Sequence, residues 1–134
     1  MDWEIRPHKE AVDLYLDEYR YRIDQIAPEM TRKECKKICE EFDVYGLFKG
    51  SELAGCLMFE PREDGYVFHI AVRPEHRGKW SFYWDYIRGW MLEKYVIIYG
   101  IAPMDDKVKQ KLLPRSGFKL IGLDKEIYWY QLWA

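Results

Sequence analysis

The sequence predicts an α+β domain built on a mixed sheet, and three observations carry that prediction. Helical periodicity marks two stretches before residue 43 and others after residue 80. Apolar runs suited to strands stand between and after them, and two of the connections carry hairpin signals. At 134 residues the chain fits one compact domain, read as residues 1–134, large enough to bury its own core.

The elements follow in order. "DWEIRP" reads as a short first strand stopped by Pro7. Val12, Tyr15, Leu16, Tyr19, Ile23 and Ile26 recur mostly at three- and four-residue steps, which predicts an amphipathic helix. Thr31 and Glu34 have the T-x-x-E spacing of a capping box and announce a second helix, "RKECKKICEEF". Its predicted inner face carries Cys35, Ile38, Cys39 and Phe42. "VYGLFK" turns through Gly50-Ser51 into "ELAGCLMFE" as a hairpin, and "PREDG" returns the chain into the strand "YVFHIAV". Pro74 and the loop after it end that strand, and a helix begins near Ser81 with Tyr83, Tyr86, Ile87, Trp90 and Met91 on its apolar face. "YVIIYGIA" is a continuous apolar run, the mark of a strand covered on both faces. "DDKVKQKLL" is a shorter helix that Pro114 should end early, and "KLIGL" with "EIYWYQLW" closes the chain as a hairpin. The order is β-α-α-β-β-β-α-β-α-β-β, with no internal repeat, low-complexity stretch or linker.

Composition narrows the function classes. A formal net charge of -2, with Lys and Arg scattered among acids, argues against an electrostatic nucleic-acid binder. No run approaches the roughly 20 apolar residues of a membrane helix, and "MDWEIRPHKE" has no apolar leader core. Three cysteines, an odd number, suggest no disulfide framework, so a soluble cytoplasmic protein is expected. Cys35 and Cys39, one helical turn apart, would be half a metal site. No His or further Cys stands near them in sequence, so they read as small buried side chains and no metal is expected. Aromatic residues make up 17% of the chain, enough to furnish a core or a partner interface.

Two segments carry a resemblance. "VRPEHRGK", residues 72–79, has the form V-x-P-x-x-R-G-x directly after a strand, and "SGF", residues 116–118, follows the last helix. With a helix and an apolar strand between them, the chain resembles the GNAT superfamily of acyl-CoA-dependent N-acyltransferases over essentially its whole length. The resemblance implies a GNAT-like mixed sheet flanked by helices, with acetyl-CoA as co-substrate. It implies that backbone N–H groups among Ile70, Ala71 and Val72 polarise the thioester carbonyl. It further implies that Arg77, Gly78, Lys79, Trp80, Ser81 and Phe82 surround the pyrophosphate. Physics agrees with such a use: a strand, a turn and a helix start converge N–H groups at the positive end of a helix dipole. Gly78 permits positive φ or close backbone approach, and Arg77 and Lys79 add charge at the rim. The plain alternative is an exposed turn.

The chain also departs from the family pattern. Trp80 and Phe82 fall on its small-residue positions, and they fit only with negative φ and side chains turned away from the ligand. A Trp after "RGK" is similar to a variant in GNAT-like proteins of tailed bacteriophages. "YVFHIAV" holds no carboxylate to take a proton from the amine. His69, on one strand face with Val67 and Ala71, is the candidate base, since histidine's ordinary pKa is about 6.5. It is equally a packed structural histidine. Glu60 is a second candidate, or a cap for the turn into Pro61. Leu113 stands where many family members have a Tyr that protonates the leaving thiolate, with Tyr128 and Tyr130 as substitutes or as packing. Asp106 stands where the family often has an Asn on the cofactor arm; an Asp can accept there but not donate.

The expected function is transfer of an acetyl group from acetyl-CoA to a primary amine by direct attack. The acceptor side would be formed by the N-terminal helices and "DQIAPEM", where Asp24 and Glu29 are opposed by Arg20, Arg22 and Arg32. The alternative is a GNAT-shaped binding or structural protein without turnover, a component of a larger assembly such as a virion.

Overall fold

A computed structural model describes residues 2–18, 29–78 and 80–133, the side chains of residues 80–82 excepted. Its elements are β1 (Trp3–Pro7), α1 (Ala11–Glu18), α2 (Arg32–Cys39), β2 (Asp43–Lys49), β3 (Glu52–Pro61) and β4 (Tyr66–Val72). There follow α3 (Pro74–Arg77), α4 (Trp80–Lys94), β5 (Ile98–Pro103), α5 (Lys107–Arg115), β6 (Phe118–Asp124) and β7 (Ile127–Leu132). The expected order holds, with one addition. Pro74, whose fixed φ suits the first position of a helix, starts the short turn α3 where the sequence reading had a loop. The later residues of the first helical pattern, Tyr19, Ile23 and Ile26, lie outside the described residues, as does most of "DQIAPEM".

The strands form a seven-stranded sheet in the order β1-β2-β3-β4-β5-β7-β6. The pair β4–β5 is parallel, while β1–β2, β2–β3, β5–β7 and β6–β7 are antiparallel, so the sheet is mixed as expected. The chain groups into two compact units: Met1–Glu60 with His69–Tyr83, and Pro61–Phe68 with Trp84–Ala134.

In the first unit α1 and α2 close one face of the sheet. Ala11, Val12, Leu14 and Leu16 pack with Cys35, Cys39, Cys56, Met58 and Ala71. Thr31 makes the expected reciprocal capping box with Glu34, which satisfies donors that a helix start would otherwise leave unpaired. Those bonds from Thr31 hold the Glu34 carboxyl below its usual range. The two helices are clamped by charge: Arg32 reaches Asp17 at 2.7 Å and Asp13 at 3.3 Å, and Lys36 reaches Asp13 at 3.1 Å. The inner stripe of α2 is narrower than expected. Cys35 and Cys39 are buried, but Ile38 is 49% exposed because the stripe follows i and i+4 and leaves i+3 on the shoulder.

In the second unit Trp84 of α4 packs near Phe68 and Phe118, and its indole N–H donates to the Ser116 carbonyl at 2.9 Å. Two expectations fail here. "YVIIYGIA" is not one doubly covered strand: Tyr95–Ile97 precede β5, and Val96 is 93% exposed. Within β5, Ile98, Gly100 and Ala102 are buried, while Tyr99, Ile101 and Pro103 are only half-buried. A continuous apolar run conceals such alternation because both faces are apolar in composition. Pro114 does not end α5 early; it lies in the last turn, one residue before the end. There its missing N–H forfeits a single bond, and the helix closes through Ser116 N–H to Leu112 O at 3.0 Å. The β6–β7 turn is made by Lys125 and Glu126, both at positive φ (51° and 67°), a two-residue hairpin without the usual glycine.

Candidate functional site

The face of β4 that packs under α1 and α2 brings together two residues the sequence reading had named separately. His69 Nε2 lies 2.9 Å from Glu60 Oε1, with the two side chains 12% and 22% exposed. An ionised carboxylate can only accept, so in that pairing Nε2 is the donor and Nδ1 is the ring nitrogen left outside the bond. Phe42 stacks on the imidazole at 5.9 Å and 8°, and Tyr15 meets it edge-on at 6.2 Å. His69 therefore shares the face of Ala71, as strand alternation requires, while Phe68 points to the opposite one. Nearby, burial pushes the Cys39 thiol up to about 11, with smaller contributions from Cys35 and the charge of Glu60.

The edge of β4 supplies backbone donors. Arg73 N–H donates to Ala54 O at 2.8 Å, on the β3 side. Because successive residues of a strand point their polar groups to opposite edges, Ala71 faces β3 and Ile70 and Val72 face the other edge. The parallel ladder between β4 and β5 covers Tyr66 and Val67, so Ile70 and Val72 stand beyond it. Arg77 folds back from α3 onto this edge: its Nε–H donates to Val72 O at 2.9 Å. Its Nη2 donates to Glu18 Oε2 at the end of α1, at 2.5 Å. The charge that Arg77 was expected to add at the rim is shared with a carboxylate.

Gly78 follows α3 with φ -67° and ψ -7°, so the positive φ allowed for in the sequence reading is not used. A Cβ at Gly78 would meet nothing within 4 Å. Any L-residue can adopt that backbone, and the open space beside it is what matters for a ligand. Lys79 lies outside the described residues. Trp80, Ser81 and Phe82 form the first turn of the 15-residue α4, the helical backbone that lets large residues stand at these positions. Behind the loop, His76 is buried against Trp3 with their rings 5.7 Å apart, and Tyr83 is fully buried. Burial raises the Tyr83 phenol to about 12, against the lowering influence of Arg77.

The remaining named residues fall in the second unit. Asp106 is the N-cap of α5, its Oδ1 accepting the Lys109 N–H at 3.1 Å. Leu113 is core, consistent with its being no acid. Tyr130 is also core, and burial raises its phenol pKa, while Tyr128 is half-buried. Three ligand-type atoms, from exposed Glu52 and Glu75 and buried His76, lie within 4.8 Å of one another, a grouping that surface acids adopt commonly without a metal. Sequence reasoning missed Glu18, Tyr15 and Phe42 as neighbours of the named residues. Glu18 and Arg77 are 59 positions apart, and no local pattern signals such a pair.

No protein-family model matches the sequence, and no curated protein matches it. Solved structures do match its fold. One is the acetyltransferase from Salmonella typhimurium that modifies the N-terminal serine of 50S ribosomal subunit protein L7/L12. It has a TM-score of 0.71 at 15% identity, covering 98% of this chain and 94% of that one. The PaiA N-acetyltransferase of Thermoplasma acidophilum, in complex with coenzyme A, matches with a TM-score of 0.67 at 13% identity, covering all of both chains. A GNAT-family acetyltransferase from Listeria monocytogenes matches with a TM-score of 0.62 at 16% identity, covering 96% and 93%. The chain has the fold of the GNAT acetyltransferases.

Proposed function

From that fold we propose that the protein is an N-acetyltransferase that moves an acetyl group from acetyl-CoA to a primary amine. The observation that carries this reading is the β4-to-α4 connection. Residues that the sequence resemblance assigns to acyl-CoA stand at a strand edge with outward N–H groups, followed by Gly78 with open space beside it and the first turn of a long helix. That the PaiA structure was solved with coenzyme A supports the choice of co-substrate. Backbone N–H groups of Ile70 and Val72 would polarise the carbonyl, and the segment from Arg77 to Phe82, Lys79 included, would hold the phosphates. Glu60 orients His69, whose Nδ1 takes a proton from the acceptor's ammonium. The freed amine then forms the C–N bond as the C–S bond breaks, and coenzyme A leaves as thiolate and is protonated. The proton on His69 and the amide nitrogen's surplus proton pass to solvent, which supplies the one the thiolate takes up.

Among the described residues no helix is long and apolar enough to cross a membrane. Free Cys35, Cys39 and Cys56 support placing the protein in the cytoplasm, a reducing compartment.

Thermal unfolding with acetyl-CoA tests the reading. At about a hundred times Kd the ligand should add roughly 2.7 kcal/mol of stability. That raises Tm by about 10 °C for a domain of this size, at roughly 2.1 cal/mol/K of unfolding entropy per residue. A folded protein whose Tm is unmoved at millimolar acetyl-CoA would contradict it.

A further inference from the structure

We propose that the acceptor is the N-terminal segment of an acidic polypeptide, held by a lysine-rimmed cavity between α1 and α2; this rests on the acetyltransferase reading and names its substrate class. The cavity has a volume of about 400 Å³, the size of a ligand pocket. Its rim carries Lys9, Lys33, Lys36 and Lys37 against one acid, Glu40, in a chain whose formal net charge is -2. Among the described residues Lys36 pairs with Asp13. Lys9, Lys33 and Lys37 are exposed and make no ion pair among the described residues. Glu10 and Asp43 border an adjoining cavity, which shares Lys9, Phe42 and Val44, and Glu10 lies 3.6 Å from His8. Among the described residues, positive charge without an ion partner therefore collects on the α2 side.

The floor is apolar, from Val12, Phe42 and Val44. Phe42 is the ring that stacks on His69, so the cavity adjoins the His69–Glu60 pair. These facts constrain the acceptor. An ammonium group would be repelled from a ring of lysines, so the reacting amine cannot be the part that the rim holds. The acceptor this rim fits is extended, with its amine at one end and anionic groups further along. A polyamine has no anionic part, and a free amino acid keeps its ammonium and carboxylate too close together. A peptide N-terminus followed by Asp and Glu has the required form, with an apolar side chain to lie on Phe42.

The test uses the full chain and three fluorescent peptides alike but for acidic, neutral or lysine residues after the same N-terminal residue, with spermidine and free glutamate as small amines. Binding is read by anisotropy without acetyl-CoA, and acetylation by mass spectrometry with it. The acidic peptide should bind about tenfold or more tightly than the lysine peptide at about 0.05 M salt, with the advantage shrinking at about 0.5 M. The charge reversal Lys33→Glu with Lys37→Glu, on the exposed face of α2, should cancel that preference and leave the response to acetyl-CoA in thermal unfolding unchanged. Equal binding of all three peptides, or faster acetylation of spermidine or glutamate, would overturn the assignment. Acidic-peptide binding with a normal acetyl-CoA response but no acetylation would also overturn it, because the cavity would then hold something other than the acceptor. Loss of the acetyl-CoA response itself would strike the acetyltransferase reading instead.

Discussion

His69→Ala should slow acetyl-CoA-dependent acetylation by about a hundredfold or more, the range expected when a positioned general base is removed. The loss should fall on kcat, with the affinity for acetyl-CoA unchanged, because the imidazole lies on the α1/α2 face of β4 and contacts Phe42, Tyr15 and Glu60. Glu60→Gln should cost about tenfold, since a glutamine amide still hydrogen-bonds the ring but no longer dictates which nitrogen carries the proton. The double variant should be no slower than His69→Ala alone, because Glu60 acts through the ring it orients. A purely structural histidine predicts something else: a lower Tm from the lost stacking on Phe42, with kcat intact. Steady-state kinetics and thermal unfolding on the three variants separate the two.

Gly78→Asp should weaken acetyl-CoA binding by at least about thirtyfold, and Gly78→Ala by no more than a few-fold. The backbone at Gly78 is ordinary right-handed helix, and an added Cβ would meet nothing within 4 Å, so both variants should fold without strain. A new carboxylate beside bound phosphate costs about 2–4 kcal/mol at an effective dielectric near 20, and every 1.4 kcal/mol is about tenfold in affinity. The penalty should shrink as salt rises, which a steric clash would not do. Titration calorimetry at two ionic strengths reads both effects. Unchanged affinity in Gly78→Asp would move the phosphates away from this loop.

The parts of the fold legible in sequence were those set by neighbours along the chain. The Thr31–Glu34 capping box, the Gly50-Ser51 hairpin and the helical face of Tyr83, Ile87 and Met91 all rest on spacings of four residues or fewer. The misreadings arose where local pattern was ambiguous. Tyr95–Ile97 are as apolar as the strand they precede, and Pro114 costs little in a final turn. In the candidate site His69 and Glu60 could be named singly, yet their pairing depends on how β3 and β4 lie side by side. The tie from Arg77 to Glu18 depends on where α1 ends relative to α3, and no spacing rule reports that. Lys33, Lys36 and Lys37 read as an ordinary solvated helix face until folding sets Lys9 and Phe42 beside them.

The measurement that tests the central claim most directly follows isotopically labelled acetyl from acetyl-CoA into an amine, using a panel of peptide N-termini and small amines with a no-enzyme control. The proposed function predicts label in the acceptor, with one equivalent of coenzyme A thiol released per amide formed and both lost in His69→Ala. If acetyl-CoA binds but no label reaches any amine, the chain is a GNAT-fold binding protein and the catalytic account of His69 and Glu60 is wrong.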